Sequence, residues 1–258
     1  MDQDISFLDD PGISRKIFYP RRSLPVKATP NRSALAFEVD EGITLTGVMH
    51  KAGESAPNIL LFHGNGEVAV DYDDIGPLLT DIGINLSVLD YRGYGSSSGS
   101  PSYSRMLSDA VKLFPKFKEM LERHGLHGRI FIMGRSLGSA PALELASREE
   151  ISGLIIESGF AHTYDLLVRL GVDAHLLDMS KEDLASNLGK IERVTRPMLI
   201  IHGEMDEIIP LSDAVDLYSN AGSEVKELVV VHGAGHNTLM FYGQDEYMSA
   251  IKRFIGTD

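Results

Sequence analysis

Short, almost wholly apolar runs alternate along this chain with longer stretches in which apolar residues recur at helical spacing. The apolar runs are Ile59–Phe62, Ile84–Leu89, Ile130–Met133, Leu154–Ile156, Met198–Ile201 and Leu228–Val231. A strand covered on both faces has no polar side to present, so such runs predict buried strands. Ahead of them, Leu35–Val39 and Ile43–Met49 flank Asp40-Glu41-Gly42 and predict an opening hairpin. Leu107, Ala110, Phe114, Phe117 and Leu121 fall three and four apart and mark one buried helix face. Pro115 lies among them, and its missing N–H predicts a kink or a helix restart. Tyr247, Ile251 and Phe254 share a face on a closing helix. Strands alternating with helices imply parallel βαβ units, hence an α/β fold with an eight-stranded, mostly parallel sheet between helices. The stretch from Phe160 to Arg196 exceeds a simple crossover and predicts two short helices, Tyr164–Leu170 and Lys181–Arg193.

Composition narrows the class. Hydrophobic residues make up 43% of the 258 and charged ones 24%, which excludes wholesale disorder. There is no cysteine, so disulfides, zinc–cysteine centres and a thiolate nucleophile are excluded. A net charge of −13 argues against nucleic-acid or anionic-membrane partners. The charge is uneven: residues 1–33 are net basic on a strongly acidic body. Ile17, Phe18 and Tyr19, flanked by Arg15, Lys16, Arg21 and Arg22, predict an arm that docks near the opening hairpin with its bases facing the body. No apolar run approaches the ~18–20 residues of a membrane span. The acidic start also lacks a signal peptide's basic region, so a cytoplasmic protein is expected.

The strongest local motif is Gly134-Arg135-Ser136-Leu137-Gly138, which follows an apolar strand and precedes a helical run. A serine on so tight a strand-to-helix turn has its hydroxyl exposed, and the flanking glycines leave room for the turn. Ser136 is therefore the candidate nucleophile, and it needs a base. His236 stands beyond two glycines after the last strand, free to reach across; His232, at the strand end, is expected to be packed or hydrogen-bonded. Asp206 follows the preceding strand on the same edge and is the candidate to orient the imidazole, with Glu157 as the alternative. Glu204 and Glu207 are expected to be solvated loop charges. The N–H groups of Asn65, in His63-Gly64-Asn65-Gly66, and of Leu137 are candidate oxyanion donors. Asp90 and Arg92, in Asp90-Tyr91-Arg92-Gly93-Tyr94-Gly95, are expected to brace loops as an ion pair.

From Ile17-Phe18-Tyr19-Pro20 through His63-Gly64-Asn65-Gly66, the Asp90 run, the Ser136 elbow, Asp206 and His236, the chain resembles the α/β-hydrolase superfamily of serine hydrolases, in its small branch with a minimal lid. Ser139 departs from a glycine often found after the elbow. The resemblance implies an α/β-hydrolase domain over residues 34–258, with 160–196 as a short helical lid after the sixth strand. It also implies Ser–His–Asp catalysis through an acyl-enzyme, with no metal and no cofactor. Phe160, His162, Tyr164 and Leu167 are the candidate substrate-contacting residues beside the serine. So short a lid predicts an open cleft and small-molecule esters of short to medium acyl groups. A thioesterase or a peptidase with the same triad, or a non-catalytic binding relative, stays open, because fold alone does not assign chemistry.

Overall fold

The computed structural model describes residues 5–177 and 186–256. Among these, the strands are β1 Arg32–Asp40, β2 Ile43–His50, β3 Asn58–Phe62, β4 Asn85–Leu89, β5 Ile130–Arg135, β6 Gly153–Glu157, β7 Met198–Gly203 and β8 Lys226–Val231. They form one eight-stranded sheet in the order β1-β2-β4-β3-β5-β6-β7-β8. The β1–β2 and β2–β4 pairs are antiparallel and every later pair is parallel. Strands β3, β4, β6 and β7 are buried at every position and β5 at all but its two end residues, which is why they appear as almost wholly apolar runs. The edge strand β1 instead alternates buried and exposed residues from Leu35 on.

The helices are α1 Pro11–Ile17, α2 Ile75–Asp81, α3 Tyr103–Arg123, α4 Ser139–Ala146, α5 Thr163–Arg169, α6 Leu188–Ile191, α7 Leu211–Asn220 and α8 Leu239–Ile255. Side chains of α1, α3, α4, α5 and α7 build the core on one face of the sheet, and those of α2 and α8 build it on the other. Helix α5 matches the first of the two short helices expected after β6. Residues 181–185 of the second lie outside the described residues, and the remainder holds α6.

Pro115 does not kink or restart α3, which runs unbroken from Tyr103 to Arg123. The proline sits on the exposed side, opposite Leu113, Phe114 and Phe117, so the lost hydrogen bond falls where water can replace it. The irregular helix is α8, where Gly243 leaves helical backbone (φ −142°, ψ 42°) at a point where a Cβ would collide with the Val231 side chain.

The arm buries Leu8, Ile13, Ile17 and Phe18 in the main core and leaves Tyr19 largely exposed. Its anchors lie mostly away from the opening hairpin. The Asp9 carboxylate accepts the Ser104 N–H at the start of α3 (2.9 Å), and Phe7 meets Tyr164 of α5 edge to face. Gly95 donates its N–H to the Arg21 carbonyl (2.8 Å), and the Arg22 guanidinium donates to the Ser97 carbonyl (2.6 Å). The loops at the sheet's carboxyl edge offer the unpaired backbone groups an extended arm needs. Two of its bases do meet acids, Arg21 at Asp71 and Arg32 at Asp73.

Arg92 braces loops, but with partners other than Asp90. Its Nε and Nη2 donate to Asp109 of α3 (both 2.6 Å), and Nη2 also reaches Asp40 at the end of β1. Asp90 faces the other way and accepts the Ala69 N–H (2.8 Å). Both Arg92 and Asp109 are buried. Arg92→Met should therefore cost about 3–5 kcal/mol by stranding the Asp109 carboxylate, which is about 6–20 °C in Tm. Calorimetry of the variant checks this, and an unchanged melt would mean the pair is neutral.

Candidate active site

Strand β5 ends at Arg135, and the chain then turns through Ser136, whose φ of 51° lies in the left-handed region that side chains avoid. The glycines make this possible. A Cβ on Gly138 would collide with the backbone carbonyls of Phe62 and His63, and one on Gly134 with the Gly138 carbonyl and Ala142. The elbow therefore packs directly against the end of β3. Ser139 donates its hydroxyl to the Ser136 carbonyl (2.7 Å), so the residue that departs from the common glycine pins the turn.

The loops after β7 and β8 bring Asp206 and His236 to this point. His236 Nε2 lies 2.9 Å from Ser136 Oγ, and Nδ1 lies 2.7 Å from Asp206 Oδ2. All three residues are buried. The other Asp206 oxygen accepts the N–H groups of Ile208 (3.0 Å) and Ile209 (2.8 Å). Burial pushes the Asp206 carboxyl up, but the bond to His236, the imidazole's charge and these two amides outweigh it and hold it below the usual range. An ionised Asp206 accepts from Nδ1–H, which leaves Nε2 as the lone pair facing the serine hydroxyl. Beneath them, burial pushes His202 down despite its contact with Asp206, and its Nε2 donates to the Ile209 carbonyl (2.8 Å).

The remaining candidates fall elsewhere. His232 is hydrogen-bonded rather than packed: its side chain is 86% exposed and meets Glu204 at 3.3 Å. Glu157 turns from His236 to Arg135 and Tyr247. Glu204 and Glu207 are exposed as expected, yet they accept N–H groups of the histidine loop, Gly233 at 3.0 Å and His236 at 3.4 Å. Asn65 spends its side chain on the arm and on the loop after β4. Its Oδ1 accepts the Tyr19 N–H (3.1 Å) and the Tyr94 hydroxyl (2.9 Å), and its Nδ2 donates to the Ile17 carbonyl. Of Asn65, only the backbone amide is thus left as a candidate oxyanion donor, alongside that of Leu137, which follows Ser136.

Phe160, Tyr164 and Leu167 are wholly enclosed in the main core, and His162 faces Asp216 of α7 (3.2 Å). Tyr164 and Leu167 lie on the inward face of α5 and Phe160 in the segment between β6 and α5, and all three supply core packing. A cavity of about 230 Å³ touches His236 and is lined instead by Glu67, Tyr72, Arg135, Glu157 and Tyr247 among others. Of this group the sequence singles out only Glu157, and for a different role. The available signal was an arginine ending an otherwise apolar strand. Among the described residues, no cluster of side chains is arranged to hold a metal ion, and no helix is long and apolar enough to cross a membrane.

A family model described as Hydrolase_4, serine aminopeptidase, S33, matches residues 53–169 and 161–240. Alpha/beta hydrolase domain-containing protein 17B of Xenopus laevis is 33% identical over 213 residues, 79% of this chain and 68% of the relative. The chain belongs to the α/β-hydrolase superfamily. Human alpha/beta hydrolase domain-containing protein 17B is 31% identical over 217 residues, 81% of this chain and 69% of its own. Among solved structures, an esterase of Pyrococcus furiosus superposes with a TM-score of 0.74 at 18% identity, over 93% of this chain and 97% of the other. A predicted CIB-like hydrolase of Thermoplasma acidophilum gives 0.62 at 20% identity, over 87% and 97%. These likenesses carry the fold, and the α/β-hydrolase family makes the protein a hydrolase.

Two measurements probe this arrangement. Gly138→Ala forces the elbow off the β3 carbonyls, so it should cost about 3 kcal/mol or more and slow labelling of Ser136 by a fluorophosphonate. A variant that melts and labels like the parent would show the contact can yield. The depressed Asp206 carboxyl stabilises the fold above its unfolded value near ~3.9, and that share is lost as pH falls through its lower folded value. Asp206→Asn should accordingly flatten the fall of Tm on the acid side of pH ~4, relative to the parent.

Proposed function

We propose that the protein is a serine hydrolase that cleaves carboxylic esters of short to medium acyl groups. The single observation behind this is the unbroken line from Ser136 Oγ through His236 to Asp206, at 2.9 and 2.7 Å, on a strained elbow. In this reading Ser136 Oγ attacks the acyl carbon while His236 Nε2 takes its proton, and Asp206 stabilises the imidazolium. The Asn65 and Leu137 amides hold the oxyanion. His236 returns the proton to the departing alcohol, and water then repeats the sequence on the acyl-enzyme. Short acyl groups suit a site where Phe160, Tyr164 and Leu167, after β6, are closed into the core instead of walling a deep tunnel. None of these steps calls for a metal or a cofactor. A cysteine-free, acidic chain fits a reducing, cytoplasmic setting and a small-molecule substrate rather than nucleic acid.

A thioester would be met by the same machinery. An amide is the second reading with an observation of its own: the family model that matches residues 53–169 and 161–240 is described as a serine aminopeptidase. A p-nitrophenyl ester panel of two to sixteen carbons, run beside acyl thioesters and aminoacyl amides, decides among these. The highest kcat/KM is expected at roughly two to eight carbons on oxygen esters. A maximum at sixteen carbons, or on thioesters or amides, would replace the substrate class and keep the triad. Ser136→Ala should lower kcat by up to ~10⁶-fold with the fold intact and abolish fluorophosphonate labelling. A folded parent that takes no label would instead mark a binding protein.

A further inference from the structure

Arg135 precedes the serine, and its guanidinium holds three separate pieces of the site. The side chain is 12% exposed. Nη1 pairs with Glu67, and Nε donates to Glu157 Oε1 (2.9 Å). Nη2 donates to Asn237 Oδ1 (2.9 Å) and to the His236 carbonyl (3.2 Å). The carboxylates are held in turn. Glu67 Oε2 accepts the Gly64 N–H (2.8 Å) and the Tyr72 hydroxyl (2.7 Å), and Glu157 Oε2 accepts the Tyr247 hydroxyl (2.7 Å). The loop carrying Asn65, the end of β6, the histidine loop and α8 thus converge on one buried cation.

We propose that Arg135 is a positioning residue for catalysis: it fixes His236 against Ser136, holds the Asn65 loop in register, and through its charge sets the pH at which turnover begins. This rests on the triad reading above. A guanidinium suits the task because its planar fork serves several acceptors at fixed angles, which a lysine ammonium at one point cannot. Burial opposes the charged form of Arg135, but Glu157 and Glu67 more than offset it, so the cation persists. Glu67 also remains ionised: burial pushes its carboxyl up, and Arg135, the Tyr72 hydroxyl, His63 and the Gly64 amide bring it below the usual range.

The charged and titratable groups around His236 come from every element packed there. Asp206, Glu207 and His202 face it from β7 and its loop, and Arg135 from β5, with Glu67 and Glu157 behind the arginine. Burial pushes the Tyr72 and Tyr247 hydroxyls well up, so both stay neutral. Removing the arginine leaves two carboxylates uncompensated beside the histidine and favours its protonated form, which is inactive as a base. Removing the Glu157 charge has the opposite effect. The two substitutions should move the acid limb of the rate profile in opposite directions, a signature that loosened packing alone would not produce.

The test is the pH profile of kcat/KM, on the best p-nitrophenyl ester, for the parent, Arg135→Met, Arg135→Lys and Glu157→Gln, with Ser136→Ala as the blank. Arg135→Met should lower kcat by about 10²-fold with KM changed only a few-fold, as displaced catalytic groups do. Its acid limb should move up by about half a pH unit or more, that of Glu157→Gln should move down, and Arg135→Lys should keep the limb but not the full kcat. Should the methionine variant fail to fold, the lysine and glutamine variants carry the test. Limbs that stay in place, with kcat within about two-fold of the parent, overturn the assignment of Arg135 while an inactive Ser136→Ala upholds the triad. A Ser136→Ala that turns over like the parent removes both.

Discussion

The site depends on one backbone contact, the elbow glycine Gly138 resting on the carbonyl end of β3. It holds Ser136 at a positive φ, a conformation that costs a non-glycine residue of order 1–3 kcal/mol and persists only where the surroundings over-determine it. Here they do. β3 and β5 are parallel neighbours, with Phe62 opposite Gly134, so the loop after one strand must pass the turn after the other. The same contact that strains the serine seats the elbow against Phe62 and His63, where the chain leaves β3.

Parallel order does the rest of the gathering. Strands β3 to β8 all end at one edge, so Asn65, Ser136, Glu157, Asp206 and His236 arrive there from different parts of the chain with little cost in added loop. What such an edge lacks is mutual rigidity, since each group sits on its own loop. Two devices supply it. The Arg135 cluster ties β5, β6, the histidine loop and the Asn65 loop together from below. From outside, the N-terminal arm clasps the Asn65 side chain through the Ile17 carbonyl and the Tyr19 amide.

The charges explain why these devices are buried without being ruinous. Every carboxylate drawn into the site accepts several hydrogen bonds: Asp206 from two amides and an imidazole, Glu67 from an amide, a hydroxyl and a guanidinium. Buried charge is tolerable on those terms and expensive on any other. The same rule accounts for Arg92. Asp90, two residues before it, already accepts the Ala69 amide, and the arginine is met instead by Asp109 of α3, a residue no local pattern singles out.

By itself the sequence determined the strands, that most of them run parallel, and the places of Ser136, Asp206 and His236 after them. Those features are local: an apolar run must be covered on both faces, a glycine-flanked serine must turn tightly, and groups that follow strands must share an edge. Tertiary structure decided what depends on which side chain meets which across the fold. It let Pro115 pass without a kink by facing it to water, left His232 in solvent and sent Glu157 to Arg135 instead of His236. It also closed Phe160, Tyr164 and Leu167 into the core and laid the arm over Asn65. A pattern along the chain records whether a residue avoids water, but its partner is chosen by distance in space, which spacing along the chain does not carry.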